Sequence, residues 1–382
     1  MGTITIGDSC EVLNGYAFKS EKYTSSGIRV IRIANVQKGY IEDDSPVFYQ
    51  TDDVDLNKYM LRENDLLVSL TGNVGRTALL TKDMLPAALN QRVACLRLKT
   101  NKITRGFLFH LLNSDYFESK CIQSSQGVAQ KNLSTEWLKS YDLPLYSLSK
   151  QNEITKILDN VRNTIILKEQ EIQKYDELIK ARFIEMFGTL HNNENCFDIV
   201  TIGEVCSLIK DGTHQTPEYT EDRENGFKFL SSKDVMSQKI DWSSIKYIPA
   251  ELHEKLYVTI KPQRNDVLMS KNGVNYGVAA VNDTDEVFDI YVSLALLRPK
   301  KIIDPVFLWC VINNPETKRQ FDSSIKGIGV PNLHLGEIKK TKIFLPPMEL
   351  QKEFTQFVRQ VDKSRFNIKK SIIELEREVV YD

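Results

Sequence analysis

Long apolar runs, paired cysteines and an excess of one charge are all missing from this sequence. No segment approaches the about 18 apolar residues of a membrane span, and the first residues lack the basic and apolar regions of a signal peptide. The six cysteines are scattered without a C-x-x-C pair, a pattern that favours buried free thiols in a reducing compartment. We therefore expect a cytoplasmic protein that does not contact a membrane.

Motifs for chemistry are equally scarce. The five histidines show no metal-ligand spacing, and no glycine-rich segment suits S-adenosylmethionine. The segment Thr71–Thr77 resembles a phosphate-binding loop, but Arg76 stands where such a loop needs a lysine. We interpret the segment as a strand-end turn and leave open that its backbone also approaches phosphate. The sequence thus predicts a non-catalytic protein without a metal or a cofactor.

The charges exclude a uniformly basic surface, because 51 acidic residues balance 50 basic ones. A nucleic-acid-binding surface would have to be a local patch. Basic residues form three clusters: Arg97, Lys99, Lys102 and Arg105; Arg298, Lys300 and Lys301; Lys339, Lys340 and Lys342. The first two clusters occupy matching places in the repeat described next. Two interpretations stay open, solvated loops and contacts to phosphate.

The chain carries an internal repeat with a period of about 200 residues. Segment 5–10 returns at 201–206, and segment 64–69 returns at 265–270. Further matches keep the same order: Asn14-Gly15 with Asp211-Gly212, Gly72 with Gly273, Gly127 with Gly327, Asn132 with Asn332, Leu143-Pro144 with Leu345-Pro346, and Gln151 with Gln351. The Asn-Gly and Asp-Gly pairs are typical of tight turns between strands.

Each copy begins with a globular part and ends with a long helix. Short β-branched runs such as 28–33, 66–70 and 93–98 predict strands, and 107–112 and 305–313 predict helices. The fold class is therefore mixed α/β (α+β), with a pseudo-twofold repeat of two similar domains. The predicted limits are 1–148 and 191–347 for the domains, and 149–190 and 348–382 for the helices.

Apolar residues in a four-three spacing define a seam along each long helix, as in a coiled coil. The first seam comprises Ile154, Leu158, Val161, Ile165, Lys168, Ile172, Tyr175, Ile179, Arg182 and Met186. The second comprises Phe354, Val358, Val361, Arg365, Ile368, Ile372, Leu375 and Val379. We expect the helices to pack on each other as an antiparallel coiled coil that separates the two domains. The alternative is that each helix packs only on its own domain.

With these features the chain resembles the specificity subunit of type I restriction-modification enzymes. The resemblance rests on the domain-to-helix junctions 143–151 and 345–351, and on segments 64–72 and 89–93. It implies two target recognition domains, each reading half of a bipartite site in double-stranded DNA. It also implies two methyltransferase (modification) subunits and restriction/translocase subunits as partners. The specificity subunit of a type IIB-like enzyme has the same layout and stays an alternative.

Comparing the two copies of the repeat distinguishes positions with the same residue from positions with different residues. Positions alike in both copies should serve scaffold and partner docking, whereas unlike loop positions should contact bases, with Arg suited to guanine and Asn or Gln to adenine. The predicted DNA-binding residues are Tyr16, Asn73, Arg76, Gln91 and Arg92 in the first domain, and Thr213, His214, Gln215, Lys271, Asn275 and Tyr276 in the second. The second copy has Asp289–Val292 in place of the Asn-Gln pair, so a role for Gln91 cannot be transferred to it.

Overall fold

A computed structural model describes residues 2–50, 55–125, 132–325 and 331–381, with only the backbone of residues 378–381. The shared glycines Gly127 and Gly327 lie outside these residues. The chain divides into two compact units: the first comprises Met1–Glu169 and Lys369–Asp382, and the second comprises Gln170–Ile368. Each unit contains one copy of the globular part.

The first unit is built on three small sheets. Its strands are Gly2–Thr5 (β1), Cys10–Asn14 (β2), Ile28–Ile31 (β3), Phe48–Tyr49 (β4), Leu66–Ser69 (β5), Thr77–Leu79 (β6), Ala87–Leu89 (β7), Val93–Leu98 (β8) and Asp142–Leu145 (β9). An antiparallel sheet has the order β2-β8-β5-β6. In a second sheet of order β4-β3-β7, β3 is antiparallel to β4 and parallel to β7. Finally, β1 pairs with β9.

Helices surround these sheets. They are Ile6–Ser9 (α1), Arg105–Leu112 (α2), Asp115–Ser124 (α3), Thr135–Ser140 (α4) and the long Leu148–Phe187 (α5). The four-stranded sheet is buried on both faces. Leu66 and Val68 pack with residues of α2 and α3, whereas Leu67 points to the other face and packs with Ile31 of β3. Side chains alternate along a strand, so one short apolar run supplies two cores.

The second unit repeats this topology. Its strands are Asp198–Thr201 (β10), Cys206–Asp211 (β11), Phe227–Leu230 (β12), Lys246–Ile248 (β13), Val267–Ser270 (β14), Ala279–Val281 (β15), Phe288–Ile290 (β16), Leu294–Pro299 (β17) and Lys342–Leu345 (β18). The sheets have the orders β11-β17-β14-β15, β13-β12-β16 and β10-β18. The helices are Ile202–Val205 (α6), Ala250–Tyr257 (α7), Pro305–Ile312 (α8), Pro315–Ser324 (α9), Leu335–Lys340 (α10) and Met348–Tyr381 (α11). Helix α7 stands where the first unit has a single 3₁₀ turn at Asn57–Tyr59.

The interpretation of the Asn-Gly and Asp-Gly pairs as tight turns is wrong. Strand β2 pairs with β8 and not with the next strand in the sequence, and the chain continues past Gly15. A Cβ atom on Gly15 would lie 2.2 Å from the carbonyl carbon of Asn90, and one on Gly212 would lie 1.9 Å from the carbonyl oxygen of Ile290. Glycine is therefore needed for close backbone approach.

The structure contains two long helices, and the described seam residues lie on their covered faces. Helix α5 has 40 residues and α11 has 34, and Gly188, at φ 70°, follows α5 as its predicted stop. All ten seam positions of α5, and those of α11 up to Leu375, are buried or half-buried. The burial of Val379 lies outside the described features.

Within the second unit, the end of α5 and the beginning of α11 run antiparallel. Asp176 pairs with Arg365, and Arg182 lies 3.0 Å from Glu353. Aromatic side chains join both helix segments to the core of the unit: Phe183 and Phe187 of α5 and Phe354 of α11 pack with Phe307 and Phe344. In this unit the helices therefore pack on each other and on the domain.

One buried glutamine fastens each domain to the helix that follows it. The side chain of Gln151 accepts a hydrogen bond from the Thr104 N–H (2.7 Å) and donates to the carbonyls of Lys102 (2.8 Å) and Tyr146 (3.0 Å). Gln351 makes the same three contacts in the second unit, with Asp304, Ile302 and Pro346. Both glutamines are fully buried, which explains why the repeat retains them.

Candidate nucleic-acid interface

Three loops of the first unit meet at one place, which we call the first loop edge: residues 14–16, 70–76 and 90–92. Backbone hydrogen bonds hold the loops together. The Tyr16 N–H donates to Leu89 (2.8 Å), the Gln91 N–H donates to Tyr16 (2.9 Å) and the Leu70 N–H donates to Arg92 (2.9 Å). All five predicted DNA-binding residues of this domain lie in these three loops.

The second unit forms its loop edge in the same way, from residues 211–215, 271–277 and 291–293. The Thr213 N–H donates to Ile290 (3.1 Å), the Val292 N–H donates to Thr213 (3.0 Å) and the Lys271 N–H donates to Ser293 (2.9 Å). Each bond matches one in the first loop edge. The frame is therefore common to both units, although the side chains that it carries differ.

A serine at the end of a buried strand shapes the longest loop of each edge. The Ser69 hydroxyl donates to the Asn73 carbonyl (2.5 Å) and accepts from the Arg76 N–H (3.0 Å). Ser270 does the same with Asn275 (2.8 Å) and Val278 (3.0 Å). The strand-end turn predicted for 71–77 is confirmed, and its approach to phosphate stays a prediction.

The shared asparagines support these turns from outside. Asn132 forms a β-bridge with Thr71, and Asn332 forms one with Asn272. The next residue in each copy, Leu133 or Leu333, donates its N–H to the loop at 2.7 Å. These positions serve the scaffold, as expected of residues that both copies share.

In the first loop edge, Asn73, Gln91 and Arg92 are exposed. Tyr16 is half-buried, with its ring packed on Phe18 (5.0 Å between centroids) and Tyr59 (5.3 Å). Arg76 is also half-buried and donates to the side chain of Gln37. Three of the five predicted side chains are therefore fully open to an approaching ligand.

In the second loop edge, His214, Gln215 and Asn275 are exposed, Thr213 is half-buried, and Lys271 and Tyr276 are buried. The Tyr276 hydroxyl donates to Asp322 (2.5 Å), and Lys318 Nζ lies 3.7 Å from the centroid of the Tyr276 ring. Burial raises the pKa of Tyr276. Lys271 Nζ lies 3.1 Å from a carboxylate oxygen of Asp211. Neither Lys271 nor Tyr276 is open to a base edge in this structure, because each is buried and directs its polar group to a carboxylate of its own unit.

Two residues of the second loop edge were missed by sequence reasoning. Asp211 lies in the Asp-Gly pair for which the sequence predicts only a turn, and its carboxylate contacts two of the predicted residues. Val274 at the tip of the longest loop is 83% exposed. The repeat contained a signal for both: Asp211 stands where the first copy has Asn14, and three residues separate Gly273 from Gly277 where two separate Gly72 from Gly75.

Two arginines of the basic clusters are not free for phosphate. Arg97 forms two hydrogen bonds with the Asp65 carboxylate (2.7 and 2.9 Å), and Arg298 forms two with Asp266 (both 2.8 Å). These bonds raise the pKa of both guanidinium groups. Lys300 donates to the Glu204 carbonyl at 2.7 Å. For the two arginines the phosphate interpretation is wrong, because their guanidinium groups are paired inside their own unit; for the exposed Lys300 it stays a prediction.

The described residues contain no group of three or more His, Cys, Asp or Glu side chains that could hold a metal ion. Four of the six cysteines are buried free thiols, as expected, but Cys196 is exposed and Cys310 is half-buried. Burial raises the pKa of Cys121 to about 12, so this thiol is not a nucleophile at neutral pH. Among the described helices, none is long and apolar enough to cross a membrane.

Comparison with known proteins places the repeat in one family. Residues 1–175 and 195–377 match the family described as type I restriction modification DNA specificity domain. The chain is 24% identical over 396 residues to the type I restriction enzyme EcoBI specificity subunit of Escherichia coli, covering 97% of this chain and 81% of that protein. It is 34% identical over 164 residues to the EcoAI specificity subunit of the same species, covering 42% of this chain and 28% of that protein.

Solved structures show the same fold. The type I restriction-modification S subunit from M. genitalium aligns with 99% of this chain and 93% of its own at a TM-score of 0.54 and 16% identity. A chain from a structural study of type I R-M complex assembly and conformational transition aligns with 99% of this chain and 95% of its own, at a TM-score of 0.59 and 18% identity. Two family domains, matched where the internal repeat lies, show that this chain belongs to the type I restriction-modification DNA specificity subunits.

Proposed function

We propose that each loop edge reads one half of a bipartite site in double-stranded DNA. One observation carries the proposal: the two loop edges have the same hydrogen-bonded frame, but most of their exposed side chains differ. A common frame suits two readers of the same polymer, and different side chains suit two different base sequences. The exposed readers are Asn73, Gln91 and Arg92 in the first edge, and His214, Gln215 and Asn275 in the second.

The half-buried Tyr16, Arg76 and Thr213 border these readers. Arg76 and Arg92 give the first loop edge two guanidinium groups, which suit guanine edges and phosphates. Local charge of this kind accounts for DNA binding by a chain whose net charge is −1.

The chain itself performs no chemistry in this proposal, as befits a specificity subunit. It directs two methyltransferase subunits and the restriction/translocase subunits to the site, in the cytoplasm, where the DNA lies. The target adenine would leave the stack and enter a methyltransferase pocket, because its amino group cannot be reached inside the duplex.

The long helices offer a docking surface for these partners. Apolar side chains on α5 remain exposed, among them Ile157 (55%), Leu167 (65%) and Ile184 (53%). Phe366 on α11 is 67% exposed. Exposed apolar side chains at several levels of a helix are typical of a surface that another protein covers.

The test is a map of methylated adenines. We would express the full chain with its modification subunits in a host without other methylation and sequence the DNA with a modification-sensitive method. A bipartite motif is expected. Exchanging residues 1–169 for those of a related chain should change one half of the motif and leave the other half unchanged.

The isolated chain, incubated with labelled S-adenosylmethionine and DNA, serves as the control and should transfer no methyl group. A motif without two halves, or a change in both halves after the exchange, would contradict the proposal.

A further inference from the structure

Two side chains of the second loop edge converge on one carboxylate oxygen of Asp211. Asp211 Oδ2 lies 3.1 Å from Lys271 Nζ and 3.4 Å from His214 Nε2. The Lys271 side chain is 5% exposed and that of Asp211 is 17% exposed, whereas the His214 side chain is 73% exposed. The cluster thus has a buried cation, a nearly buried anion and an imidazole that faces outward.

The common frame does not require this ion pair. At the equivalent positions the first unit has Asn14 and the buried Leu70, and it forms the same strands and backbone hydrogen bonds. A buried ion pair is seldom more stabilising than well-packed apolar residues of similar size, because both charges lose their hydration. Stability therefore does not explain why the second unit carries Lys271 and Asp211.

The pair does explain the position of His214. The Asp211 carboxylate lies beside Nε2 of His214 at 3.4 Å, and this electrostatic contact favours the tautomer with the proton on Nε2. Nδ1 is then the free acceptor of the neutral ring. The ring borders a cleft of about 380 Å³ that is also lined by Asp211, Thr213 and Asp289. The Asp289 carboxylate is bonded to His253 at 2.6 Å, so the acceptor that His214 adds at the border of this cleft suits a ligand group that donates a hydrogen bond.

We propose that Asp211, anchored by Lys271, is a positioning residue that directs His214 Nδ1 to the exocyclic amino group of a base in the second half-site. Adenine N6 and cytosine N4 are the amino groups that the major groove presents. This inference rests on the proposed function and assigns one base contact within it. It also replaces the predicted direct base contact of Lys271 with an indirect role.

The experiment compares variants in the methylation map. His214→Ala should relax one position of one half-site, with a roughly tenfold loss of discrimination between bases there. Asp211→Asn should relax the same position by a smaller factor. The double variant Asp211→Asn with Lys271→Leu reproduces the pair of the first unit, so it should fold and behave like Asp211→Asn. His191→Ala, an exposed histidine outside both loop edges, is the matched control and should leave the motif unchanged.

A second measurement identifies the base. Binding of the purified complex is measured on duplexes in which that position carries purine for adenine or 2-pyrimidinone for cytosine, so that only the amino group is lost. The wild-type complex should bind the altered duplex roughly tenfold more weakly, and His214→Ala should lose nothing further, as required of a coupled pair.

Four results separate the possible failures. An unchanged motif in His214→Ala would overturn the inference, and so would a uniform loss of methylation in Asp211→Asn without a change in base preference. Equal losses on removal of the amino group in wild type and His214→Ala would also overturn it. The absence of any bipartite motif in wild type would instead overturn the proposed function.

Discussion

Replacing Gln151 with alanine should detach the start of helix α5 from the first domain. The side chain is fully buried and joins three backbone groups, the N–H of Thr104 and the carbonyls of Lys102 and Tyr146. Thr104 is also the N-terminal cap of α2. A single side chain therefore links the strand-to-helix loop, the domain-to-helix junction and the long helix.

The magnitude follows from the groups left without partners. A buried polar group that loses its hydrogen bond costs about 1–3 kcal/mol, and Gln151→Ala leaves one N–H and two carbonyls in that state. Some of these groups will find water in the space that the side chain vacates, so we expect a loss of about 3 kcal/mol in local stability. With this loss, the affected amides should exchange their hydrogens about a hundredfold faster.

Hydrogen exchange followed by mass spectrometry measures this change segment by segment. Gln151→Ala should accelerate exchange at 102–112 and 146–158 but not at 302–312 and 346–358, and Gln351→Ala should do the reverse. Asn152→Ala, at the exposed neighbouring position, is the matched control. If Gln151→Ala and Asn152→Ala exchanged at the same rate, the glutamine would not hold the junction and the reasoning would be refuted.

Two further substitutions test the frame, with unfolding followed by urea denaturation. Gly212→Ala places a Cβ atom 1.9 Å from the Ile290 carbonyl oxygen and should lower the free energy of unfolding by at least about 2 kcal/mol. Gly336→Ala, with no atom within 4 Å of the new Cβ, is the control and should not lower it. Equal stability of the two variants would count against the close-approach argument. Arg298→Ala leaves the buried Asp266 without its cation and should lower the free energy of unfolding by about 3–5 kcal/mol. A decrease of less than about 1 kcal/mol would show that the pair does not stabilise the fold.

The long helices and the repeat could be predicted because they depend on local pattern. A four-three spacing of apolar residues needs no knowledge of distant contacts, and burial follows the seam along both helices as far as Leu375. The strands within 28–33, 66–70 and 93–98 were likewise correct in kind, since short apolar runs bounded by turn residues fit a buried strand. The family resemblance rested on the joint order of such segments and is confirmed.

Charge pairing could not be predicted as easily, because it depends on strand order. Asp65 and Arg97 lie 32 residues apart and meet only because β5 and β8 are neighbours in the sheet. Along the sequence, Arg97 is grouped with basic residues and its partner is far away. The repeat did contain the missing signal, since Asp266 and Arg298 lie at the same spacing of 32 residues. A pair of opposite charges retained at a fixed separation in both copies indicates mutual contact.

The part of each unit that reads DNA includes the start of its long helix, because each globular domain contacts that helix at a second point. In the first unit, Arg162 of α5 donates to the Gly39 carbonyl at 2.6 Å, eleven positions after Gln151. In the second, Asp362 of α11 accepts from Lys239 at 2.9 Å, eleven positions after Gln351. The residues differ but the distance along the helix is the same, so both contacts fix the direction of the helix relative to its own domain. An exchange cut after residue 148 leaves the incoming domain to find both contacts on a foreign helix, whereas a cut after residue 169 carries them along. Chimeras cut at 169 should therefore methylate a hybrid motif more efficiently than those cut at 148, and equal efficiency would show that the second contact has no part in reading.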